Sequence, residues 1–212
     1  MLTGKRLLVT GVVTTDSIAW AVAERAQLHG AEVILTTHDR VQDLTVAAAC
    51  ALPRRPEILT LDATRRQDYQ RLRSDLNGRP LDGALHAIAF APREALAGDF
   101  LAAGDEAIEL AFRTSTTSYA RLAELLAQTS VGRDSALVGL DFDADGRAWP
   151  VYNWMGVCKV ALQSGHAVRQ LRSLSVPEVA PGQSGLGRPV ADRSASGIPD
   201  FERCWTPMPP SL

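Results

Sequence analysis

The chain has 212 residues, a formal net charge of −2 and 22% charged residues, a balance without the basic excess that nucleic-acid binding requires. With 46% hydrophobic residues, this length suits one domain with a two- or three-layer core. No apolar run approaches the roughly 20 residues of a membrane span. The three cysteines, Cys50, Cys158 and Cys204, show neither a metal-binding spacing nor a disulfide framework. A strand pattern begins almost at the N-terminus and leaves no room for a signal peptide, so we expect a cytoplasmic protein.

Short apolar segments alternate with helical patterns along the first 172 residues. Strands are predicted at residues 5–10, 32–36, 57–61, 85–90 and 135–140. Helices are predicted at residues 18–28, from 39 or 40 to before 53, and at 64–76, 105–127 and 152–174. This alternation is typical of a parallel sheet that is covered by helices on both faces. We therefore predict an α/β protein with a doubly wound parallel sheet.

Residues 173–212 differ from the rest of the chain in composition. Prolines and glycines are concentrated there, and no strand longer than about four residues can be drawn. Such a composition predicts irregular structure. We therefore expect a sheet domain at residues 1–172, an irregular Pro/Gly-rich segment at residues 173–212, and a sheet that is incomplete at its C-terminal edge.

Tyr152 and Lys159 are seven residues apart in a segment with helical character. Seven residues are nearly two turns of helix, so both side chains would lie along one stripe. A phenol has an unperturbed pKa of about 10 and is a poor proton donor unless a fixed cation or hydrogen bond adjusts it. A lysine at this spacing could supply that field or hold a cofactor ribose. The alternative is an ordinary amphipathic helix.

The first strand and the first helix are joined by a loop that begins at Gly11. This is where a doubly wound sheet binds a dinucleotide, because a glycine admits the pyrophosphate and a helix N-terminus attracts it. The loop sequence GVVTTDSIA differs from G-x-G-x-x-G, and Ser17 could equally be a helix N-cap. Asp39 suits a ribose contact and Asp62 could approach an adenine amino group. For each of these aspartates, a helix cap is the alternative role.

Six motifs follow one another along residues 11–162. They are G-x5-S-I-A at 11–19, T-x-x-D-R at 36–40, L-D at 61–62, L-D-G-x-x-H-x-I-x-F-x-P at 81–92, D-F-D at 141–143 and Y-N-W-M-x-V-x-K-x-A-L at 152–162. In this order they resemble the NADH-dependent enoyl-acyl-carrier-protein reductases, a branch of the short-chain dehydrogenase/reductases, and most of all the actinobacterial long-chain type. The resemblance covers about residues 1–172 and implies a Rossmann-like, dinucleotide-binding domain.

The resemblance implies an activity and a role for each matching residue. The expected reaction is the reduction of a trans-2-enoyl thioester by NADH in fatty-acid or related acyl-chain biosynthesis. Tyr152 would face the thioester carbonyl, Phe142 would sit beside the reacting carbons, and Lys159 would hold the nicotinamide ribose. The other implied cofactor contacts are Gly11, Ser17 and Ile18 at the pyrophosphate and nicotinamide, His38 and Asp39 at the adenosine, Asp62 and Ala63 at the adenine, and Ala87, Ile88 and Ala89 toward the ribose.

The resemblance also implies a substrate partner and a surface through which the superfamily usually forms a two-fold dimer, and we expect a homodimer. The substrate would be an acyl thioester on acyl carrier protein, and the helices at 105–127 and 152–174 would form a homodimer. The apolar side chains expected to be available for that interface are Leu110, Leu122, Leu125, Leu126, Val160 and Leu171.

Two features depart from the family pattern. The family carries P-I/L-x-T after its sixth strand, whereas residues 179–185 and 188–191 contain no threonine. The chain also ends at Leu212, before the closing strand and helix that the resemblance implies. These departures leave a second hypothesis open, in which the chain is a non-redox descendant: a cyclase, an acyl-binding scaffold or an inactive interaction subunit.

Overall fold

A computed structural model describes residues 2–131, 134–142 and 152–172. Five strands form one sheet, namely β1 (Arg6–Val9), β2 (Glu32–Thr37), β3 (Glu57–Thr60), β4 (Gly83–His86) and β5 (Ala136–Gly139). Their order in the sheet is β3-β2-β1-β4-β5, and all neighbours pair in parallel. The predicted doubly wound α/β fold is confirmed.

Seven α-helices flank or extend the sheet in the described residues. They are α1 (Ile18–Leu28), α2 (Gln42–Ala49), α3 (Arg66–Asp75), α4 (Arg93–Leu96), α5 (Asp105–Phe112), α6 (Ser118–Thr129) and α7 (Asn153–Arg172). Short 3-10 turns lie at Asp39–Val41 and Phe100–Ala102. The sequence predicted the five longer helical segments, but it missed α4 and the 3-10 turn that follows it.

Neighbouring residues of one strand belong to opposite faces of the sheet. In β1, Leu8 packs into a cluster with α3 and α6, whereas Val9 packs into a second cluster with α1 and α2. This division follows from the two-residue period of a strand. Both side chains are at most 1% exposed, so the central strand is buried on both faces. A third cluster, around Ala95, Met155 and Cys158, joins α4 and α5 to α7.

The fourth strand lies earlier in the chain than the sequence predicted. It was expected at residues 85–90, but the ladder runs over Gly83–His86. Beyond His86, side chains take the backbone groups that a ladder would use: Thr10 Oγ1 accepts from the Ala87 N–H, and Ser115 Oγ contacts both backbone groups of Phe90. The apolar residues 87–90 therefore leave the sheet at its carboxyl edge.

The long helix predicted at 105–127 is interrupted. Residues Arg113–Thr117 form a π-helical turn between α5 and α6, which we call the π-turn. The segment 114–118 reads T-S-T-T-S, a run of hydroxyl side chains that compete for helix backbone groups. Such a run favours a departure from regular α-helix.

The prediction of the dimer surface is wrong for three of its residues. Leu122, Leu125 and Leu126 are at most 2% exposed and belong to the subunit's own core against the sheet. They are therefore not available to a second subunit. Leu110 and Val160 remain exposed, at 36% and 44%.

Several sequence predictions lie outside the described residues. They concern the segment 173–212, the altered element at 179–191, the incomplete edge of the sheet and the side chain of Leu171. Within the described ranges, no helix is long and apolar enough to cross a membrane.

Candidate active site

The predicted site residues gather at one edge of the sheet. Parallel strands end on the same side, and the strand order reverses between β1 and β4, which is where doubly wound sheets form a ligand crevice. Each of the five strands is followed there by at least one predicted residue. These are Gly11, Ser17 and Ile18 after β1, His38 and Asp39 after β2, Asp62 and Ala63 after β3, Ala87, Ile88 and Ala89 after β4, and Phe142 after β5.

The crevice between β1 and β4 is closed at its base by hydrogen bonds. Thr10 Oγ1 donates to the Leu85 carbonyl (2.8 Å) and accepts from the Ala87 N–H (3.0 Å). Gly11 follows with a positive φ of +85°, and a Cβ built on it would lie 2.1 Å from the Ala87 carbonyl oxygen. The chain therefore turns at Gly11 in contact with the backbone of Ala87, an approach that any side chain would block.

Ser17 shapes the loop that leads into α1. It occupies the N-cap position, but its hydroxyl makes no cap hydrogen bond to the helix. Instead Ser17 Oγ accepts from the N–H groups of Val13 and Thr14 and donates to the Thr14 carbonyl. The first turn of α1, as described, carries no acidic residue, so the helix dipole attracts an anion there, while the exposed carboxylate of Asp16, just before the N-cap, opposes that attraction. The positive φ of Gly11 and the helix N-terminus suit the close approach of a pyrophosphate to this loop.

The carboxylate of Asp62 lies at the carboxyl end of β3 within a set of donors. Thr64 donates to Asp62 Oδ1 through its N–H (2.9 Å) and its hydroxyl (2.6 Å), while Arg65 Nε lies 3.2 Å and His38 Nε2 3.8 Å from Asp62 Oδ2. Burial opposes ionisation, but the hydrogen bonds from Thr64 and the nearby His38 and Arg65 outweigh it and lower the pKa of Asp62. A fixed carboxylate at this point can accept a hydrogen bond from an amino group.

Asp39 and Ala63 complete this end of the site. Asp39 is exposed in the 3-10 turn that follows β2, and its neighbour Arg40 donates its N–H to His38 Nδ1 (3.1 Å). Ala63 is buried, and its carbonyl accepts a hydrogen bond from the Tyr69 hydroxyl (3.2 Å). The segment that carries Asp62 and Ala63 is thus tied to α3.

Tyr152 precedes α7 by one residue. Its carbonyl accepts the Gly156 N–H (2.8 Å), so the predicted helix is confirmed, with Tyr152 at its start. The Tyr152 ring packs against the Phe142 ring with centroids 4.5 Å apart, and a Cβ on Gly156 would lie 3.7 Å from Tyr152 Cδ1. The two aromatic residues that the sequence assigned to the reaction therefore lie in contact.

Lys159 lies on α7 with only 6% of its surface exposed. Its Nζ donates to the Leu140 carbonyl just beyond β5 (2.7 Å). Burial, reinforced by the charge of Lys159, lowers the pKa of His86 to about 3. An ammonium is costly to bury unless it is paired, so a buried lysine at the carboxyl end of β5 is a candidate functional residue.

Sequence reasoning missed several residues that build this site. Thr10 closes the crevice, and Trp154 anchors the start of α7 by stacking on Phe100 (4.4 Å between centroids) and donating to the Phe100 carbonyl (3.0 Å). A further signal lay in the composition, because Lys159 is one of only two lysines in a chain with 20 arginines. Arginine is the default cation here, so a buried lysine indicates a position that needs a compact ammonium.

A doubly wound parallel sheet with its candidate site at the carboxyl edge is the architecture of nucleotide-binding α/β domains. The family model described as enoyl-(acyl carrier protein) reductase matches residues 11–171, which include every predicted site residue. The chain belongs to this family.

Individual relatives agree with the family match. The chain is 37% identical to the enoyl-acyl-carrier-protein reductase (NADH) of Mycolicibacterium smegmatis, over 77% of this chain and 62% of that protein. It is 32% identical to the corresponding reductases (NADH) of Neisseria meningitidis and Mycobacterium avium, over 94% and 99% of this chain and 77% and 83% of those proteins. The chain thus spans less than two thirds of the first relative. The predicted family is confirmed.

Proposed function

We propose that this chain uses NADH to reduce a trans-2-enoyl thioester carried on acyl carrier protein, in fatty-acid or related acyl-chain biosynthesis. One observation carries the proposal: the Tyr152 ring packs against the Phe142 ring, and Lys159 Nζ donates to the carbonyl of Leu140, two residues before Phe142, at the carboxyl end of β5. The names of the relatives support the reaction and the cofactor. All three side chains are present, and in the described part of the chain no observation favours a non-redox descendant.

Each residue has a distinct chemical task under this proposal. NADH, when bound, supplies the hydride that adds to C3 of the enoyl thioester, and a proton then reaches C2. The Tyr152 hydroxyl donates a hydrogen bond to the thioester oxygen as negative charge develops on it. Lys159 donates to the ribose hydroxyls, and the Phe142 ring fixes the Tyr152 ring and excludes water from the reacting carbons.

The remaining residues would hold the cofactor. Gly11, Ser17 and Ile18 form the pyrophosphate end, and Ala87, Ile88 and Ala89 line the path toward the ribose. Asp62 and Ala63 meet the adenine, beside His38. The exposed carboxylate of Asp39 would accept the adenosine ribose hydroxyls and repel a 2′-phosphate, which favours NADH over NADPH.

Replacement of Tyr152 tests the proposed chemistry. We expect Tyr152→Phe to lower kcat for a trans-2-enoyl thioester roughly 100- to 1,000-fold, as does the loss of one oxyanion donor elsewhere. The dissociation constant for NADH should stay within about two-fold, because the phenyl ring keeps its contact with Phe142. NADH oxidation at 340 nm and fluorescence titration measure the two quantities. A Tyr152→Phe variant that turns over normally would remove Tyr152 from the reaction. An unaltered chain that oxidises no NADH would contradict the reductase proposal.

The proposal includes a cytoplasmic location, which the absence of a disulfide framework among the three cysteines favours. It also includes a homodimer formed through α5 and α7. Leu110 on α5 and Val157 and Val160 on α7 are between 36% and 44% exposed in the single subunit. Val157 and Val160 are three residues apart and therefore share one face of the helix. Closed symmetry through one self-complementary patch gives a dimer.

A charge on this face should dissociate the dimer. We expect Val160→Glu to sediment as a monomer at concentrations at which the unaltered chain sediments as a dimer, because the carboxylate would be desolvated at the interface. Leu28→Glu is the matched control, since Leu28 is 60% exposed on α1, away from both helices. A monomeric unaltered chain, or equal effects of both variants, would overturn the assignment of this surface.

A further inference from the structure

The π-turn at Arg113–Thr117 lies where several elements of the candidate site meet. It widens the helix between α5 and α6 by one residue, and such insertions are frequent at functional sites. The run T-S-T-T-S supplies a hydroxyl at every position from 114 to 118. The contacts of these hydroxyls show what the widened turn holds.

Ser115 holds the segment that follows β4. Its Oγ accepts from the Phe90 N–H (3.1 Å) and donates to the Phe90 carbonyl (3.1 Å), and Ser115 is completely buried. Both backbone groups of Phe90 are thus satisfied by one side chain. At the other end of this segment, the Ala87 N–H donates to Thr10 Oγ1, so Ile88 and Ala89 lie between two fixed residues.

Thr116 holds the helix that carries Lys159. Its Oγ1 donates to the carbonyl of Cys158 (2.8 Å), and that carbonyl belongs to the peptide unit that continues into Lys159. The Cys158 side chain is fully buried in the cluster that joins α7 to α4 and α5. Lys159 is therefore fixed at two points, by Thr116 at its backbone and by Leu140 at its ammonium.

Ser118, directly after the π-turn, contacts the last residue of β4. Its Oγ donates to the Thr114 carbonyl (2.6 Å) and lies 2.7 Å from Nε2 of the buried His86. Because the single hydroxyl hydrogen of Ser118 is used on Thr114, Nε2 of the neutral His86 carries a proton and donates to Ser118. One turn of helix thus contacts β4, the segment after it, and α7.

We propose that Ser115 and Thr116 are positioning residues for the reduction: the π-turn sets the distance between Lys159 and the segment 87–90, the two sides between which the nicotinamide ribose would lie. This inference rests on the proposed function. A regular α-helix would lack the inserted residue, so the residues after it would move back by one position, a rotation of about 100° around the helix axis. The hydrogen bonds of Ser115 to Phe90 and of Thr116 to Cys158 therefore depend on the widened turn.

The test compares Thr116→Val with Thr117→Val. Valine keeps the branched shape and removes only the hydroxyl. Thr117 is the matched control because, among the described residues, its Oγ1 bonds only to carbonyls of its own turn, those of Arg113 and Phe112, and Thr117 is exposed. We expect Thr116→Val to raise the dissociation constant for NADH roughly 3- to 10-fold, the equivalent of one hydrogen bond. It should lower kcat and leave the KM of the thioester unchanged. Thr116→Ser should restore NADH binding, and Thr117→Val should match the unaltered chain.

Hydrogen exchange of the cofactor-free protein provides a second readout. We expect Thr116→Val to speed amide exchange around residues 158–162 and Ser115→Ala to speed it around residues 87–91, each several-fold relative to Thr117→Val. If the unaltered chain binds no NADH, the proposed function fails, and the exchange data alone decide whether the π-turn fixes these two segments. If the unaltered chain is active and Thr116→Val equals Thr117→Val in NADH binding and in exchange, the positioning role is overturned while the proposed function stands.

Discussion

Replacing Lys159 should cost most of the affinity for NADH. We expect Lys159→Ala to raise the dissociation constant roughly 10- to 150-fold, because hydrogen bonds to a charged group contribute about 1.5–3 kcal/mol each. The ammonium is already held in place by the Leu140 carbonyl, at 2.7 Å, so binding a ribose requires little further ordering of this side chain. Fluorescence titration with NADH measures the effect in the absence of substrate.

Two further variants separate charge from packing. Lys159→Met keeps the buried aliphatic stem and removes the ammonium, so its NADH affinity should fall as far as that of Lys159→Ala. Lys5→Met is the matched control, because Lys5 is half exposed, pairs with Asp82 at 3.1 Å and precedes β1, at the opposite end of the strands. Normal binding by Lys159→Met would show that Lys159 acts through its stem alone. A loss of NADH affinity in Lys5→Met would mean that the fluorescence titration reflects the folding of the protein and not a contact with NADH.

The regular part of the fold could be predicted because its signal is local. Buried parallel strands such as β2 (EVILTT) are short apolar runs between glycines and polar turns, and helices show their own period. The end of β4 could not be predicted in this way. Residues 87–90 are as apolar as the strand before them. What takes them out of the ladder is a hydrogen bond from Ala87 to Thr10, 77 residues away in sequence, and one from Phe90 to Ser115, 25 residues away.

In the candidate site, likewise, some residues could be predicted from the sequence and others could not. Motifs identified Gly11, Asp62, Tyr152 and Lys159, because family motifs preserve chemical groups. The sequence did not reveal what holds these groups, since a hydrogen bond such as Thr116 to the Cys158 carbonyl depends on how two helices pack. It also overestimated the free surface of α6, where Leu122 and its neighbours are turned into the core. An apolar helix pattern alone does not distinguish a side chain in the core from one at an interface.

Gly11→Ala should disrupt both the fold and the cofactor site. The new Cβ would lie 2.1 Å from the Ala87 carbonyl oxygen, and φ at this position is +85°. An L side chain in this region costs about 1–2 kcal/mol, and forcing the contact apart adds about 1–3 kcal/mol. We therefore expect the free energy of unfolding to fall by about 2–5 kcal/mol, measured from urea denaturation midpoints. NADH binding should weaken as well, because relief of the clash moves β1 and β4 apart at the crevice.

Gly78→Ala separates the two contributions. Gly78 also has a positive φ, +72°, but a Cβ there would meet no atom within 4 Å, and the residue lies in the turn after α3, at the opposite end of the sheet from the crevice. It should therefore lose only the backbone contribution of about 1–2 kcal/mol and bind NADH normally. If Gly11→Ala were no more destabilising than Gly78→Ala and bound NADH equally well, the close approach of Gly11 to Ala87 would not be what shapes the crevice. A larger loss of unfolding free energy and of NADH affinity, confined to Gly11→Ala, would show that the contact of Gly11 with Ala87 sets both the closure of the sheet edge and the space left for the pyrophosphate.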